Sequence, residues 1–135
     1  MEQRDYLKKQ IDEFAQVIFA MMTNLLQLKN EGKFNQGIPT TSQQLKEVFD
    51  YDLEELIAIA DDKFISILKA KKIKNESLDK LADLLLLLAD NEGPTEKGKS
   101  LYKKSLLIFD KLESVEPIYS MDRHRKIERI KKTIL

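Results

Sequence analysis

The sequence predicts an all-α fold of about six helices. Only four Gly and three Pro occur among the 135 residues, and valine and threonine are also scarce, a composition that favours helices over strands. Apolar residues recur at intervals of three and four along most of the chain. One segment near residue 95 matches a phosphate-binding motif, but its surroundings fit a helical hairpin better. The fold class therefore rests on composition, periodicity and this hairpin.

The first predicted helix runs from about Arg4 to Asn30 and carries two apolar stripes. Its main stripe alternates spacings of four and three, as in helices that pack lengthwise on one another: Leu7, Ile11, Phe14, Ile18, Met21, Leu25 and Leu28. Beside it lies a second stripe: Ala15, Phe19, Met22 and Leu26. Together the stripes cover about half of the circumference, whereas one core contact needs an arc of about 100°. We expect the second stripe either to pack on the loop 33–40 or to meet a second copy across a two-fold axis, and we favour the second copy.

The middle of the chain contains two predicted helix starts. Thr41 with Gln44 and Asp52 with Glu55 both fit the capping box, in which a polar side chain and a glutamate or glutamine three residues later satisfy each other's backbone N–H groups. The longer helix ends among closely spaced lysines, which suit the negative end of a helix dipole. The predicted boundaries are a loop at 35–41, a short helix at 41–49 and a longer helix at 52–68.

Gly93 to Ser100 satisfies the phosphate-loop spacing G-x-x-x-x-G-K-[ST]. A phosphate loop is joined directly to a buried strand, but Asp90, Asn91 and Glu92 separate the leucine run at 84–88 from the motif. Parallel strands also need a crossover of a dozen or more residues. Too few residues lie between Ser100 and the next apolar run at 106–110 for such a crossover. Nucleotide binding through 93–100 is therefore the alternative and not the main prediction.

The same residues predict a helical hairpin at 78–113. Its first helix is apolar on nearly every side, so we expect it to be the central helix. Gly93 is expected to end this helix in the left-handed conformation, after a stop that begins at Asn91, and Pro94 suits the first turn of the next helix. The remaining predicted boundaries are a cap at Asn75 or Ser77, a break at Pro117, and a basic last helix at 120–133 capped by Ser120.

This hairpin resembles a tetratricopeptide repeat, in which small and large side chains interlock between two helices. The residues that carry the resemblance are Leu81, Ala82, Leu85, Gly98, Tyr102 and Ser105. Asp83 differs from the family, because members that bind peptide carboxylates have an amide at this position. The turn is longer, and the first helix lacks the usual large aromatic residue. The whole chain is similar to an uncharacterised family of short bacterial all-helical proteins, which implies a fold and no activity.

Composition limits the possible partners. The 23 basic and 23 acidic side chains cancel, so no net field attracts nucleic acid or an anionic membrane. The sequence contains no cysteine, which excludes disulfides and thiolate chemistry and is compatible with a reducing compartment. No secretory signal is recognised, and no apolar run reaches the ~20 residues of a membrane span. We expect a cytoplasmic protein.

No catalytic, cofactor-binding or metal-binding residue is predicted. His124 is the only histidine, and a calcium-like spacing over 50–61 has Glu55 where the glycine of such a loop is required. Basic residues at the C-terminal end could contact an anion: Arg123, Arg125, Lys126 and Arg129. No aromatic residues are interleaved with them for base stacking. They are expected to offset the acidic run at 47–62 within the fold or in a partner, or to remain solvated.

These observations predict a single helical domain over 1–135 that acts without catalysis or a cofactor, by protein–protein contact. The expected partner is a second copy, in a homodimer. Two alternatives from other functional classes remain: nucleotide binding through 93–100, and a nucleic-acid-associated regulator that uses the basic C-terminal helix.

Overall fold

The computed structural model describes residues 2–116 and 119–134, with side chains from residue 13 onward. Within these ranges it contains seven α-helices, one short 3-10 helix and no β-strand, so the all-α prediction is confirmed. No described helix is both long enough and apolar enough to cross a membrane. The chain divides into two compact units, Met1–Ile59 and Ala60–Leu135. Its organisation as a single domain stays a prediction.

The N-terminal unit is built on the long helix α1, Glu2–Asn30. A 3-10 helix, Phe34–Gly37, leads into α2, Ile38–Phe49, and α3 spans Leu53–Ala58. Three residues of the predicted main stripe of α1 are buried together with four apolar residues of α2 and α3: Ile18, Met21, Leu25, Leu45, Phe49, Leu53 and Leu56. Phe14 and Leu28, also in the main stripe, are half-buried. The side chains of Leu7 and Ile11, at the start of that stripe, lie outside the described residues.

The loop predicted at 35–41 is wrong, because this segment is helical. The 3-10 helix joins α2 directly, and Pro39 occupies the first turn of α2. Proline is tolerated there because the N–H group that it lacks would have no partner within the helix. Thr41 is consequently a buried residue inside α2, and the capping box predicted for Thr41 and Gln44 is also wrong.

The helix predicted over 52–68 begins as expected but is interrupted. Glu55 N donates to Asp52 Oδ1 at 2.8 Å and Asp52 N donates to Glu55 Oε1 at 3.1 Å, which confirms this capping box. Ile59 and Ala60 then adopt extended backbone conformations, and α4 begins at Asp61. Apolar residues keep their helical spacing across the interruption, so the spacing alone does not reveal it.

The C-terminal unit consists of α4, Asp61–Lys71, α5, Asn75–Glu92, α6, Glu96–Val115, and α7, Met121–Ile134. Helix α5 is extensively buried, as its composition predicts: Leu78, Leu81, Ala82, Leu84, Leu85, Leu86, Leu88 and Ala89 are all buried. The helix that packs against the other three is α6, which contacts α4, α5 and α7, so the prediction that α5 is the central helix is not confirmed. The cap of α5 is not as predicted. Asn75 is the first helical residue, Ser77 is buried inside the helix, and the N-cap residue Lys74 makes no capping hydrogen bond through its side chain.

Two glycines explain the turn of the hairpin. Gly93 has φ 71° and ψ −150°, so φ is positive as expected, but ψ lies outside the left-handed helical region. Helix α5 continues through Glu92, which makes the connection shorter than predicted. The hydroxyl of Thr95 caps α6 by accepting a hydrogen bond from Gly98 N at 3.0 Å. A Cβ atom on Gly98 would lie 2.0 Å from the carbonyl oxygen of Gly93. The spacing of the two glycines therefore follows from close packing at the turn.

The last helix begins where the sequence predicts. Ser120 precedes α7, and its hydroxyl accepts a hydrogen bond from Arg123 N at 3.2 Å. This bond satisfies one of the N–H groups that have no partner in the first turn of a helix. Pro117, the predicted break before α7, lies outside the described residues. Ile127 and Ile130 are buried and Ile134 is half-buried, so the predicted apolar stripe faces inward.

We predict that Gly98→Ala destabilises the protein by roughly 1–3 kcal/mol, because the new methyl group overpacks the turn against a backbone oxygen. The higher helix propensity of alanine, about 1 kcal/mol, opposes this effect but does not relieve a contact of 2.0 Å. Urea unfolding followed by circular dichroism measures the change. Lys99→Ala, at the next and exposed position of α6, is the control and should change stability by less than about 0.5 kcal/mol. An unchanged or increased stability of Gly98→Ala would contradict the packing argument.

Candidate functional site

The second apolar stripe of α1 remains at the surface. Phe19 is 58% exposed and Leu26 is 44% exposed. Ala15 and Met22, the other two members of the stripe, are half-buried. At ~100° per residue, Phe19 and Leu26 lie roughly 110–130° around the helix from the centre of the buried face. The stripe therefore begins at the edge of the core contact, at Ala15 and Met22, and extends beyond it to Phe19 and Leu26.

The segment that follows α1 covers a different face of that helix. A Cβ atom on Gly37 would lie 2.6 Å from Leu28 Cδ1 and 3.0 Å from Leu25 Cδ2. The 3-10 helix thus packs beside Leu25 and Leu28, on the side of the main stripe. The alternative expectation, that residues 33–40 bury the second stripe, does not account for the exposure of Phe19 and Leu26.

The exposed stripe lies in the longest uncharged segment of the sequence. No charged residue occurs from Phe14 to Leu28, although 34% of all residues are charged. The centres of protein interfaces are depleted in charge in the same way. The exposed neighbours of the stripe in this segment are Gln16, Ala20, Thr23, Asn24 and Gln27. Apolar spacing alone does not identify them, whereas a search of the sequence for uncharged segments would.

Two basic residues of α7 pair with aspartates of α5. Lys126 Nζ lies 2.7 Å from Asp83 Oδ1. Arg129 donates from both terminal nitrogens to the two oxygens of Asp90, at 2.9 and 3.0 Å. Hydrogen bonding to Asp90 raises the pKa of Arg129, although burial opposes the rise. Tyr102 O–H donates to the same carboxylate at 2.6 Å, and burial with this hydrogen bond raises the pKa of Tyr102 to about 12.

A third basic residue of α7, Arg123, is buried among three carboxylates. Arg123 Nη2 donates to Glu116 Oε1 at 3.3 Å. Arg123 Nε is 3.7 Å from Asp79 Oδ1, and Nη1 is 3.9 Å from Glu113 Oε1, both too long for a direct hydrogen bond. Burial raises the pKa of Asp79, and repulsion by the nearby carboxylate of Asp83 adds to the rise. The cluster is held mainly by charge and less by matched hydrogen bonds.

Three of the four residues proposed as anion contacts are thus paired within the C-terminal unit. The fourth, Arg125, is exposed and contacts the sulfur of Met121 at 3.4 Å. The carboxylate partners of the three paired residues come from α5, α6, the residue that follows α6 and, for Lys126, also from Asp122 of α7 itself. The prediction that the acidic run at 47–62 offsets Arg123, Lys126 and Arg129 is wrong, because other carboxylates of the C-terminal unit contact them.

The phosphate-loop pattern is embedded in the hairpin. Lys99 and Ser100 lie in the first turns of α6, and the leucine run at 84–88 belongs to helix α5. The apolar run at 106–110 is also helical. No buried strand therefore precedes the motif, and no crossover follows it. In the part of the chain that the structure describes, no group of three histidine, cysteine, aspartate or glutamate side chains is arranged to hold a metal ion.

Lys104 of α6 is a buried lysine that the sequence pattern does not reveal. Its side chain is 1% exposed, and its Nζ donates to Ser100 Oγ at 3.1 Å. The carboxylate of Asp61 on α4 lies 3.9 Å away, and the ring centroid of Phe64 lies 5.9 Å away. Burial lowers the pKa of Lys104, and Asp61 only partly opposes this shift. The side chain of Lys104 is therefore enclosed between α4 and α6.

Comparisons with family models, curated proteins and solved structures found no match to this chain. The resemblance of the hairpin to a tetratricopeptide repeat stays a prediction from its residues.

We predict that Asp83→Asn lowers the free energy of unfolding by about 1–2 kcal/mol, because it weakens a charge-assisted hydrogen bond to Lys126 in a largely buried setting. Asp122→Asn is the matched control. Asp122 Oδ2 lies 2.9 Å from the same Lys126 Nζ, but the Asp122 side chain is 77% exposed. Exposed ion pairs contribute at most about 1 kcal/mol, so Asp122→Asn should lower the free energy of unfolding less than Asp83→Asn does. Urea unfolding of both variants measures the two losses. Equal losses would show that burial does not strengthen the ion pair between α5 and α7.

For Lys104 we predict a stability contribution that increases with pH. Its pKa is lower in the folded state than in the unfolded chain, so folding disfavours the ammonium form at neutral pH. This penalty is removed as the pH rises through the folded pKa towards the unfolded value. Lys104→Met should therefore be at least as stable as the wild type at pH 7.5, and should lose this relative advantage towards pH 10.

Urea unfolding at both pH values measures this difference, with Lys103→Met at the adjacent exposed position as the control. Lys103→Met should have the same free energy of unfolding as the wild type at both pH values, because the Lys103 side chain is exposed. If Lys104→Met is instead less stable than the wild type at pH 7.5 and the gap narrows towards pH 10, the ammonium group is favoured by folding and the argument from burial is wrong.

Proposed function

We propose that this protein is a non-catalytic protein–protein interaction module that associates with a second copy of itself through α1. The observation that carries the proposal is the stripe of Ala15, Phe19, Met22 and Leu26, which is exposed or half-buried and extends beyond the core face of α1. The absence of cysteine is compatible with a reducing compartment, and we propose the cytoplasm as its location.

The spacing of the stripe supports a helix as the partner. Its residues are separated by four, three and four positions, which is the spacing that inserts side chains of one helix between those of another. A two-fold homodimer requires one surface that complements itself. An uncharged stripe meets that requirement, since pairing it with its own copy brings no like charges together. An unrelated helix would serve only if it carried a similar stripe.

The expected association is modest, because the stripe is small. About half of Phe19 and of Leu26 remains to be covered in each copy, and fully burying such a side chain contributes about 1.5–3 kcal/mol. We therefore expect a dimer fraction that depends on protein concentration.

The other two functions lack a comparable observation. Nucleic-acid binding by α7 would compete with the carboxylates that already contact Arg123, Lys126 and Arg129. Nucleotide binding at 93–100 would require the N–H groups of a loop, whereas the glycine pattern is accounted for by the hairpin turn. Self-association through α1 is the function for which apolar spacing, exposure and the absence of charge agree.

We predict that Phe19→Glu combined with Leu26→Glu converts a dimer into a folded monomer. Light scattering coupled to size exclusion, with samples at on the order of 100 µM, should give the dimer mass for the wild type and the monomer mass for the variant, because charges cannot be buried unpaired in the contact. Circular dichroism should show unchanged helix content, since both side chains are exposed in the monomer.

The control is Val115→Glu, which places the same charge on an equally exposed apolar residue, 55% exposed, at the end of α6. This variant should still dimerise. A wild-type protein that is monomeric at these concentrations would refute the proposal. A dimer that survives the double substitution would place the contact elsewhere on the surface.

A further inference from the structure

The four residues of the α1 stripe differ in size, and their order along the helix restricts how two copies can pair. The sequence along the stripe is small, large, large, large: Ala15, Phe19, Met22 and Leu26. Ala15 and Leu26 are equally far from the midpoint between Phe19 and Met22. Two pairings are therefore geometrically possible with every stripe residue engaged, one parallel and one antiparallel.

We infer that two copies pair with their α1 helices antiparallel, across a two-fold axis between Phe19 and Met22, so that Ala15 of each copy packs against Leu26 of the other. This inference rests on the proposed self-association and specifies its geometry. Phe19 of each copy then faces Met22 of the other. Each stripe residue then faces a residue of a different type in the other copy.

The volumes of facing side chains favour this arrangement. Cores pack best when large and small side chains alternate across facing positions, and a gap or an overfilled layer destabilises them. Antiparallel pairing combines alanine with leucine and phenylalanine with methionine, so the layers differ less in volume than in a parallel pair. Parallel pairing would place alanine opposite alanine and phenylalanine opposite phenylalanine, which leaves one layer underfilled and crowds the next. The flexible methionine side chain also makes favourable contacts with an aromatic ring.

The charges at the ends of the uncharged segment favour the same direction. Asp12 precedes the segment in the sequence and Lys29 follows it. At ~100° per residue, both positions fall about 50° around the helix from the centre of the stripe. Glu13 falls on the opposite side of α1, where it lines the same hollow as Glu47 and Val48 of α2. Positions 12 and 29 face each other across the proposed two-fold axis, so antiparallel pairing brings opposite charges together, whereas parallel pairing brings like charges together. The dipoles of the two helices are also opposed in the antiparallel arrangement.

Engineered cysteines distinguish the two arrangements, because the natural sequence contains none and each introduced thiol is the only one in its chain. Ala15→Cys and Leu26→Cys are prepared separately, mixed at on the order of 100 µM and oxidised under native conditions, and the products are identified by intact mass. A disulfide requires Cα atoms within about 7 Å. In the antiparallel pair, residue 15 of one copy lies beside residue 26 of the other, whereas the two residues 15 are separated by roughly 16 Å along the helices.

The expected product is the mixed disulfide between the two variants, formed in severalfold excess over either symmetric disulfide. Gln16→Cys mixed with Leu26→Cys is the control, since Gln16 lies off the stripe, and it should give less mixed product. Symmetric disulfides of both stripe variants, or none from a protein that light scattering shows to be a dimer, would overturn the antiparallel geometry and leave self-association standing. A wild-type protein that is monomeric by light scattering would instead refute the proposed self-association, and the geometry with it.

Discussion

The burial of α5 is the constraint on which the C-terminal unit depends. Half of its residues are buried, most of them leucines, so the helix needs neighbours on several sides, and α6 and α7 supply part of this cover. Backbone contact is close where α5 meets α6: Ser105 Oγ donates to the carbonyl oxygen of Ala82 at 2.8 Å in a buried position. Small residues at such positions allow two helices to approach each other, and the turn between Gly93 and Gly98 fixes the point from which α6 returns.

The aspartates of α5 show how charge is used once apolar burial has set the position of this helix. Asp83 and Asp90 project towards α7 and accept hydrogen bonds from Lys126 and Arg129, and Asp79 lies near Arg123. Helix α7 itself buries few apolar side chains, Ile127 and Ile130 among them. Its position on the hairpin therefore depends on matched charges as well as on a narrow apolar stripe. Charges that look like a ligand-binding patch in the sequence thus have partners inside the unit.

The N-terminal unit shows the opposite use of surface. Helix α1 keeps charged residues out of the segment Phe14–Leu28, including positions that face solvent, and exposes the large apolar side chain of Phe19. Scattered exposed apolar residues are normal on a protein surface. Here they follow a heptad spacing within an uncharged surround, and this combination supports a helix-to-helix contact more strongly than exposure alone.

The sequence by itself determined the class of fold, the long first helix and the hairpin with its buried first helix, because these depend on apolar periodicity and on local turn chemistry. It also determined the caps at Asp52 and Ser120, where a side chain bonds to backbone groups a few residues away.

Periodicity did not locate the break at Ile59 and Ala60, since the apolar spacing continues through it. Likewise, the closely spaced Gly37 and Pro39 predicted a loop. The segment is helical instead, and Gly37 packs closely against Leu25 and Leu28 of α1. Only the tertiary structure decided which carboxylates neutralise the basic residues of α7, that Lys104 is enclosed, and which stripe of α1 remains exposed. Each of these depends on residues far apart in the chain coming together, and local spacing carries no information about that.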